Sequence, residues 1–324
     1  MTIFFLNLIS FFLIFKFRFF ISQNLKLIDN PSKNKIHKKK SFLLGGLFLF
    51  ATLIIIYTDN YLSISKFSYI NFFLVFSLFA IGLLDDAFKL SAGFKLLLSI
   101  FFISLAVSTD NNLIIKSLNF YSADFYHFSD NWLIRNIFPI FCIIVLVNAI
   151  NFTDGINGLT SIICLSIIIY IIFKIPNIFQ NLYLIIFTII ILIFLNIKKN
   201  IFLGDSGNHL LSGIVASLIL RSNFEKPNLF FVEEIFLIFI IPGLDFLRLI
   251  IVRIYSKKSP MRGDLNHLHH ILLKKYSLKK ILFLFVFLIN TPLYLYLFFK
   301  VNILFCILLS TVIYFYLIKD KFLK

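Results

Sequence analysis

The chain has 324 residues, of which 60% are hydrophobic, a net charge of +16 and a mean hydropathy of +0.96. This composition excludes an ordinary water-soluble domain. Apolar runs recur along the whole chain and predict a polytopic helical membrane protein. No long polar stretch divides it, which predicts a single domain over residues 1–324. The positive charge favours anionic headgroups or substrates, and nucleic acid is not expected because no basic module stands apart from the spans.

We predict an all-α fold of about eleven transmembrane helices, because each long apolar run is near the length that crosses a bilayer. Their approximate positions are residues 3–21, 42–57, 67–84, 93–109, 133–150, 158–174, 181–197, 208–221, 232–252, 281–298 and 301–318. The polar and aromatic stretch 110–131 carries no span. The first run, Phe4–Phe15, is followed by Lys16 and Arg18 and by no small-residue cleavage site. It therefore predicts a retained helix and not a signal peptide.

The basic residues predict the orientation in the membrane. The loop 23–41 is lysine-rich, and cytoplasmic loops carry an excess of Lys and Arg. If that loop is cytoplasmic, loops 85–93, 151–157, 198–207 and 253–280 follow on the same side, together with most of the other loop Lys and Arg. All the polar clusters described below fall on that side. We therefore expect one site at the cytoplasmic face of the plasma (inner) membrane.

The three cysteines, Cys142, Cys164 and Cys306, lie in apolar segments. We expect small core residues and not disulfide partners or metal ligands.

The segment Asn148–Leu159 (NAINFTDGINGL) follows an apolar run with polar residues and two glycines. Polar groups at a bilayer edge are costly and usually mark a site, and glycine lets the backbone approach a ligand closely. Asn151, Asp154 and Asn157 supply oxygens suited to a hard cation or a polar ligand. The alternative is a helix end followed by an Asn/Asp/Gly turn.

Asp85 and Asp86 are adjacent carboxylates close to an apolar helix, in the stretch GLLDDAFKLSAGFK. Such charges need a cation to offset them. One carboxylate is suited to hold a metal ion while the other orients or deprotonates a substrate group. Asp85 and Lys89 also have the spacing of a helical ion pair, so the alternative is a charged loop with local lysine pairs.

Asp205 lies between Gly204 and Ser206 in the stretch FLGDSGNHLLSG, just before a helix predicted to begin at residue 208. Asp and Ser are favourable N-cap residues, and helix N-termini attract phosphate. An N-cap alone would explain Asp205. The flanking glycines and the predicted cytoplasmic position favour metal or phosphate binding.

The stretch 260–270 (PMRGDLNHLHH) places one arginine and three histidines in one loop. Guanidinium and imidazole groups bind phosphate oxygens directly, which favours a substrate phosphate site. A solvated basic loop is one alternative. Zinc is the other, although no cysteine-rich partner segment is evident, and a catalytic zinc usually has three protein ligands.

A last polar pair, Asp245 and Arg248, interrupts the predicted span 232–252. An intramembrane Asp and Arg at this spacing most often pair with each other, so we expect a structural role. The other clusters together fit metal-assisted phosphoryl chemistry, because Mg²⁺ requires few carboxylates and basic groups offset developing charge. The sequence shows neither a GxxxxGK[ST] phosphate loop nor an evident Ser-His-Asp arrangement.

Five stretches resemble the polyprenyl-phosphate N-acetylhexosaminyl-1-phosphate transferases of glycosyltransferase family 4. They are LIDNPSKNKIHKKK with Gly45-Gly46, IGLLDDAFKLSAGFK, NAINFTDGINGL, FLGDSG and DLNHLHH. The resemblance runs from about Leu27 to the end of the histidine loop. Each motif alone is weak, whereas five in the family's order on one predicted face are highly specific.

The resemblance implies transfer of a sugar 1-phosphate from a UDP-N-acetylhexosamine to undecaprenyl phosphate, with release of UMP. It implies Mg²⁺ or Mn²⁺ as cofactor, attack by the lipid phosphate on the β-phosphorus, an enzyme embedded in the bilayer, and the ability to form a homodimer. Asn151 and Asp205 are then expected metal ligands. Asp85 and Asp86 are expected to act beside Asp205 in catalysis, by positioning the metal or activating the lipid phosphate. The expected substrate-binding residues are Lys89, Lys95, Asn148, Asp154, Asn157, Arg262, His267, His269 and His270.

Two features bear on the substrate. Many family members have Asp where this chain has Asn157, and an amide can both donate to and accept from uracil. The pattern DLNHLHH is more similar to the branch that initiates O-antigen, teichoic-acid or other surface polysaccharides. A phospho-N-acetylmuramoyl-pentapeptide transferase of peptidoglycan synthesis is the alternative. A membrane transporter is the alternative of another class, although it would place charged residues along a path within the spans.

Overall fold

A computed structural model shows the chain as a helical bundle. The described residues are 2–30, 40–62, 70–121, 126–127, 132–199, 201–226, 229–260 and 264–322. The α-helices within them are α1 (Thr2–Lys16), α2 (Arg18–Asn24), α3 (Gly45–Leu62), α4 (Phe72–Phe88), α5 (Ala92–Thr109), α6 (Trp132–Asn151), α7 (Leu159–Lys174), α8 (Phe179–Lys199), α9 (Gly204–Glu225), α10 (Val232–Ile238), α11 (Ile240–Tyr255), α12 (Leu268–Leu273), α13 (Leu278–Phe299) and α14 (Ile303–Phe322). The short strands are β1 (Ile28–Asp29), β2 (Ser41–Leu43), β3 (Ser117–Leu118), β4 (Tyr126–His127) and β5 (Ile201–Phe202).

The helices confirm the predicted all-α class, and at least one helix overlaps each predicted span. Among the described residues, 3 helices are long and apolar enough to cross a membrane: α5, the Ile134–Asn151 part of α6, and α13. The number rises to 5 if two bent pairs, α1 with α2 and α10 with α11, each form one span. Shorter apolar helices lie within α3, α7, α8 and α14. The count of about eleven spans stays a prediction.

Two predicted spans are bent in the structure: the span 3–21, predicted as one helix, and the span 232–252, which the sequence Pro242-Gly243-Leu244-Asp245 was expected to interrupt. α1 and α2 meet at 69° around Phe17, and α10 and α11 meet at 77° around Phe239. Pro242 explains the second bend, because it lacks an N–H and its ring clashes with the carbonyl four residues earlier. That carbonyl belongs to Ile238, the last residue of α10.

α9 lies at the centre of the bundle. All of its residues from Ser206 to Ile219 are buried, including polar ones such as His209 and Ser212. Other helices therefore surround this helix, and its polar side chains do not face lipid.

Glycines bring α3 and α4 against the start of α9. A Cβ at Gly82 would lie 2.6 Å from Ser206 Cα, and one at Gly46 would lie 2.7 Å from Gly207 N. Such close approach of two backbones requires glycine. The end of α4 is thereby held beside the start of α9.

A small sheet that was not predicted lies at the same end of the bundle. β2 pairs with β1 in antiparallel register, with Phe42 opposite Ile28. It pairs with β5 in parallel register, with Leu43 opposite Phe202. β3 and β4 form a separate antiparallel pair within the polar stretch 110–131. Strands of two or three residues are too short to show a periodic sequence signal.

Three polar side chains join α1, α3 and α8 inside the bundle. Thr52 Oγ1 donates to Asn7 Oδ1 (2.9 Å) and lies 2.8 Å from Thr188 Oγ1. Asn7 Nδ2 donates to Thr188 Oγ1 (3.3 Å). All three residues are fully buried, so they satisfy one another in an apolar environment.

The cysteines have the expected environment. Cys164 and Cys306 are buried, Cys142 is half-buried, and all three are free thiols.

Candidate active site

One end of the bundle encloses a cavity of about 330 Å³. It lies where α4 ends, α9 begins and the turn after α6 passes. Four aspartates and two asparagines contribute to the lining, which consists of Asp29, Leu43, Asp86, Lys89, Asp154, Gly155, Ile156, Asn157, Asn196, Phe202, Gly204, Asp205, Leu265 and His270. Four stretches singled out in the sequence therefore contribute side chains to one cavity.

Asp85 and Asp86 occupy the last turn of α4, which corrects the loop predicted at 85–93. α4 continues to Phe88, and Lys89 ends it in a left-handed conformation with φ 54°. Because neighbouring residues on a helix point in different directions, the two carboxylates make different contacts.

Asp85 and Asp205 share a lysine. Lys95 Nζ lies 2.9 Å from Asp85 Oδ2 and 2.7 Å from Asp205 Oδ2. One ammonium near the start of α5 therefore offsets carboxylates contributed by α4 and α9. The predicted pairing of Asp85 with Lys89 is wrong, because Asp85 pairs with Lys95 and Lys89 lines the cavity.

Asp86 caps α9 from the neighbouring helix. Its Oδ1 accepts from Asp205 N (2.9 Å), and its Oδ2 accepts from Ser206 N (3.0 Å) and Ser206 Oγ (2.7 Å). The first N–H groups of a helix have no partner within the helix, and a negative charge there is favourable. This corrects the predicted N-cap role of Asp205. The helix already begins at Gly204, Asp205 lies in its first turn, and Asp86 supplies the cap.

The segment Asn148–Leu159 joins α6 to α7 through a turn beside the cavity. α6 ends at Asn151, and Asp154 and Asn157 lie in the turn and line the cavity. The turn interpretation is therefore confirmed, and two side chains of the turn face the cavity. Asn148 lies farther back on α6, where its Nδ2 donates to a carbonyl of its own helix (2.8 Å).

An amide from α9 binds this turn. Asn208 Nδ2 donates to Asp154 Oδ2 (2.8 Å) and to Asn151 Oδ1 (3.3 Å). Burial raises the pKa of Asp154 to about 7, and the hydrogen bond from Asn208 opposes this shift. A positive charge in the cavity would favour the ionised carboxylate.

The histidine loop packs on the same turn. His269 is buried, and a Cβ added to Gly155 would collide with its Nε2. His270 lines the cavity, while His267 stacks on His269 with ring centroids 5.2 Å apart. Burial and the neighbouring histidines lower the pKa of His269 well below its ordinary value. Burial and His267 lower the pKa of His270 to about 4. Both imidazoles are therefore neutral near pH 7.

Asp245 and Arg248 form the expected pair and also anchor the histidine loop. Arg248 Nη2 lies 2.7 Å from Asp245 Oδ1 and donates to Asn266 O (2.7 Å). Asp245 also accepts from Leu268 N (3.1 Å) and from Tyr314 OH (2.9 Å). The pair therefore connects α11 and α14 to the loop that carries the three histidines.

Arg262, a predicted phosphate ligand, lies outside the described residues. Arg253, on α11, contacts described residues of the same loop: Nε lies 2.9 Å from Asp264 Oδ2, and Nη1 donates to Pro260 O (2.6 Å). Burial alone would raise the pKa of Asp264, but the hydrogen bonds from Arg253 and Asn266 N together with nearby positive charge outweigh it and lower the pKa.

No group of three or more His, Cys, Asp or Glu side chains in the described part of the chain is arranged to hold a metal ion. A catalytic zinc usually requires three such ligands. Mg²⁺ differs in this respect, because it binds through one or two carboxylates together with substrate phosphates.

Sequence reasoning missed several residues of the cavity. Asp29 and Phe202 line it from β1 and β5. Both lie in the quoted stretches LIDNPSKNKIHKKK and FLGDSG, but neither was assigned a role. Asn196 lines it from α8, and Asn208 binds its wall from α9. The available signal for both amides was a single Asn inside a predicted apolar span.

The fold and the site define an all-α protein with membrane-length helices and an acidic, oxygen-rich cavity at one end of its bundle. Residues 68–223 match glycosyl transferase family 4. The matched region contains the shared lysine, both of its carboxylates and the turn after α6. This match covers nearly half of the chain and shows its likeness to glycosyl transferase family 4.

Relatives cover most of the chain. A Bacillus subtilis protein named probable undecaprenyl-phosphate N-acetylglucosaminyl 1-phosphate transferase is 28% identical over 264 residues, or 77% of this chain and 70% of the relative. An undecaprenyl-phosphate alpha-N-acetylglucosaminyl 1-phosphate transferase of Thermotoga maritima is 27% identical over 86% of this chain and 84% of the relative. A phospho-N-acetylmuramoyl-pentapeptide-transferase of Petrotoga mobilis is 29% identical over 77% of this chain and 72% of the relative.

Proposed function

We propose that this protein transfers an N-acetylhexosamine 1-phosphate from a UDP-sugar to undecaprenyl phosphate, giving a lipid-linked diphosphosugar and UMP. The observation that carries the proposal is the contact of Lys95 with both Asp85 and Asp205 beside an oxygen-rich cavity. Relatives named for N-acetylglucosaminyl 1-phosphate transfer support the donor class and the acceptor. Helices long enough to cross a membrane are consistent with a lipid substrate.

The proposed reaction forms one P–O bond and breaks another. An oxygen of the lipid phosphate attacks the β-phosphorus of the UDP-sugar. The bond from that phosphorus to the oxygen bridging the α-phosphate breaks, and UMP leaves with the bridging oxygen. Positioned cations stabilise the charge on the phosphoryl oxygens in the transition state. Lys89, which lines the cavity, and Lys95, which binds its acidic wall, are suited to supply such charge.

Mg²⁺ or Mn²⁺ is the cofactor in this proposal. The donor chemistry fits, because carboxylate and amide oxygens line the cavity and hard cations prefer oxygen ligands. Asp205 and Asn151 are the residues that would hold the ion. When bound, it would neutralise the diphosphate and make the phosphorus more susceptible to attack.

The contacts support different roles for the two adjacent aspartates. Asp86 uses both oxygens to bind the start of α9, so we assign it to positioning Asp205. Asp85 makes no such cap, and it is the carboxylate that remains to orient or deprotonate the lipid phosphate.

The turn and the histidine loop supply the proposed substrate contacts. Asp154, Asn157 and His270 line the cavity and can reach a ligand there directly. Because the His270 imidazole is neutral, it can offer a hydrogen bond to a phosphate or sugar oxygen but no positive charge. His269 contacts the His270 ring at a tilted angle, with centroids 4.2 Å apart, and His267 stacks on His269. Substrate contacts of Arg262 and Asn148 stay predictions.

A second donor is supported by the Petrotoga mobilis relative, whose name specifies the phospho-N-acetylmuramoyl-pentapeptide group. The bonds made and broken would be the same, so the two candidates differ in the donor sugar and not in the chemistry.

The distribution of basic loop residues supports a plasma-membrane enzyme with this cavity at the cytoplasmic face. Its product would begin the synthesis of a surface polysaccharide or cell-wall polymer. The homodimer implied by the family stays a prediction.

The test is UMP release from labelled UDP-N-acetylglucosamine by purified protein with undecaprenyl phosphate and Mg²⁺, with and without EDTA. We expect metal-dependent release with label in the lipid fraction. Asp205→Asn keeps the shape of the side chain and removes its charge, so we expect at least about a 100-fold loss of rate with the protein still folded. Asp59→Asn, at the far end of α3, is the matched control and should retain full activity.

Two results would contradict the proposal. One is UMP release without label in the lipid, which would indicate hydrolysis of the donor. The other is the absence of UMP release by well-folded protein with every UDP-N-acetylhexosamine and with UDP-muramoyl-pentapeptide.

A further inference from the structure

Asn208 connects the two halves of the cavity wall. It is completely buried on α9, one turn after the helix begins. Its Nδ2 donates to Asp154 Oδ2 at 2.8 Å and to Asn151 Oδ1 at 3.3 Å. Asp205 lies three residues earlier on the same helix. One amide therefore connects the helix that carries Asp205 with the turn that carries the other oxygen ligands.

The neighbours determine which way this amide points. Asn208 presents Nδ2 to Asp154 Oδ2 and Asn151 Oδ1, both of which can accept a hydrogen bond. Its Oδ1 is then buried without a hydrogen-bond partner among the described residues. An unsatisfied buried acceptor costs stability, and an apolar residue of similar size would fill the same space without that cost. The donor atom is therefore the feature that requires an explanation.

Packing of α9 does not supply that explanation. Ser212, one turn further along the same helix, donates only to a carbonyl of its own helix, that of Asn208 (2.7 Å). Ser217 is buried with no partner for its hydroxyl among the described residues. Asn208 differs from both because it binds a separate segment of the cavity wall.

We propose that Asn208 is a positioning residue that sets the separation of Asp205 from Asn151 and Asp154, and so prepares the cavity for one divalent cation. The inference rests on the proposed function, which supplies the cation. Asn208 acts through the side chains it binds. Partners of this kind fix the orientation of metal ligands, and their loss typically weakens metal binding about 10- to 100-fold.

The test is direct Mn²⁺ binding to the purified full-length protein without substrate, measured from the electron paramagnetic resonance signal of free Mn²⁺. Asn208→Leu replaces the amide with a larger apolar side chain and removes the donor, whereas Asn208→Ala removes the donor and most of the side-chain volume. We expect each variant to weaken Mn²⁺ binding at least about 10-fold. Ser217→Ala, which deletes a buried polar group elsewhere on α9, is the control and should bind like the wild type.

A second readout separates positioning from general damage. In the UMP-release assay, the Asn208 variants should need at least about 10-fold more Mg²⁺ for half-maximal rate. Their rates at saturating Mg²⁺ should fall much less. A purely structural role would lower the thermal midpoint and the saturated rate without moving the Mg²⁺ requirement.

Wild-type Mn²⁺ affinity in Asn208→Leu would overturn the proposal. This includes the case in which Asn208→Ala binds Mn²⁺ weakly but Asn208→Leu binds it as tightly as the wild type, since the side-chain volume and not the donor would then matter. If both variants unfold, Asn208→Ser keeps one O–H donor in a small side chain and should bind Mn²⁺ more weakly than the wild type. Wild-type affinity in a folded Ser variant would show that the amide is not needed.

Asp205→Asn distinguishes a failure of the positioning role from a failure of the cation site. If it abolishes Mn²⁺ binding while Asn208→Leu does not, the cation site stands and the positioning role is wrong. If the wild type binds no Mn²⁺, both the cation site and the positioning role are wrong.

Discussion

At the scale of single residues, Lys95 decides the electrostatics of the site. Its ammonium lies within hydrogen-bond distance of carboxylates from two helices, at 2.9 Å and 2.7 Å. Two carboxylates this close repel each other strongly where water is largely excluded. The lysine offsets that repulsion, and the geometry of Asp85 and Asp205 depends on it.

We expect Lys95→Met to lower the rate of UMP release by about 100-fold or more, because it removes the charge and keeps the length of the side chain. The rate of Lys95→Arg should lie between those of the wild type and Lys95→Met, since a planar guanidinium cannot reproduce a point charge shared by two oxygens. Lys116→Met is the matched control, because Lys116 contacts the ring of Phe224 near the other end of α9. A wild-type rate in Lys95→Met would show that the shared lysine is not needed for transfer.

The second prediction at this scale concerns pH. The pKa of His270 is lowered to about 4 by burial and by His267, while an unfolded histidine titrates near about 6.5. Between these values the unfolded chain binds a proton that the folded protein does not, so stability falls as the pH falls through this window. We expect the thermal midpoint to drop less between pH 7 and pH 5 in His270→Gln than in the wild type. Equal drops would contradict the lowered pKa.

At the scale of elements, the observed start of α9 and end of α4 differ from the bounds that the sequence predicts. The apolar pattern predicts a helix from residue 208 and ends its neighbour at 84, but the structure begins α9 at Gly204 and continues α4 to Phe88. The added turn of α9 consists of glycine and polar residues, and that of α4 begins with two aspartates. The start of α9 is helical because Asp86 satisfies its first N–H groups, and that partner lies 119 residues away in the chain.

Gly204 makes this cap possible. Its φ is +73°, and a Cβ there would lie 2.6 Å from Asp86 Oδ2. We expect Gly204→Ala to destabilise the protein by about 1–3 kcal/mol and to lower activity, because it displaces the carboxylate that fixes Asp205. Thermal unfolding and UMP release are the two measurements.

The matched control for that change is Gly243→Ala. A Cβ at Gly243 meets no atom within 4 Å, and Gly243 lies within α11. Alanine there should be neutral or slightly stabilising, by up to about 1 kcal/mol. If Gly204→Ala were as harmless as Gly243→Ala, the cap would not control the start of the helix.

At the scale of the whole molecule, the bundle is assembled around α9, and the outer helices are attached by a few specific contacts. α1 joins α3 and α8 through the buried residues Asn7, Thr52 and Thr188. None of these three side chains lines the cavity. They can therefore be changed to test assembly separately from chemistry.

We expect Asn7→Leu to reduce stability in detergent by about 0.6–2 kcal/mol. The two threonines keep their contact with each other, but the connection to α1 is lost. The rate of UMP release per folded molecule should not change. Ser108→Ala, an exposed serine on α5, is the control and should leave stability unchanged. A parallel loss of rate and stability in Asn7→Leu would show that α1 affects the cavity.

The sequence by itself determined the helical class, the polar stretches that meet at the cavity and the resemblance to the family, because hydropathy and motifs are properties of neighbouring residues. It could not determine which side chains pair. Lys95 was placed among the substrate ligands, yet it joins Asp205 across 110 positions, and Asn208 binds Asp154 across 54. Those partners are decided by how glycine-lined helices pack their ends together, which is a property of the tertiary structure. No local pattern encodes the distance between two helix ends, so the different contacts of Asp85 and Asp86 emerged only from the fold.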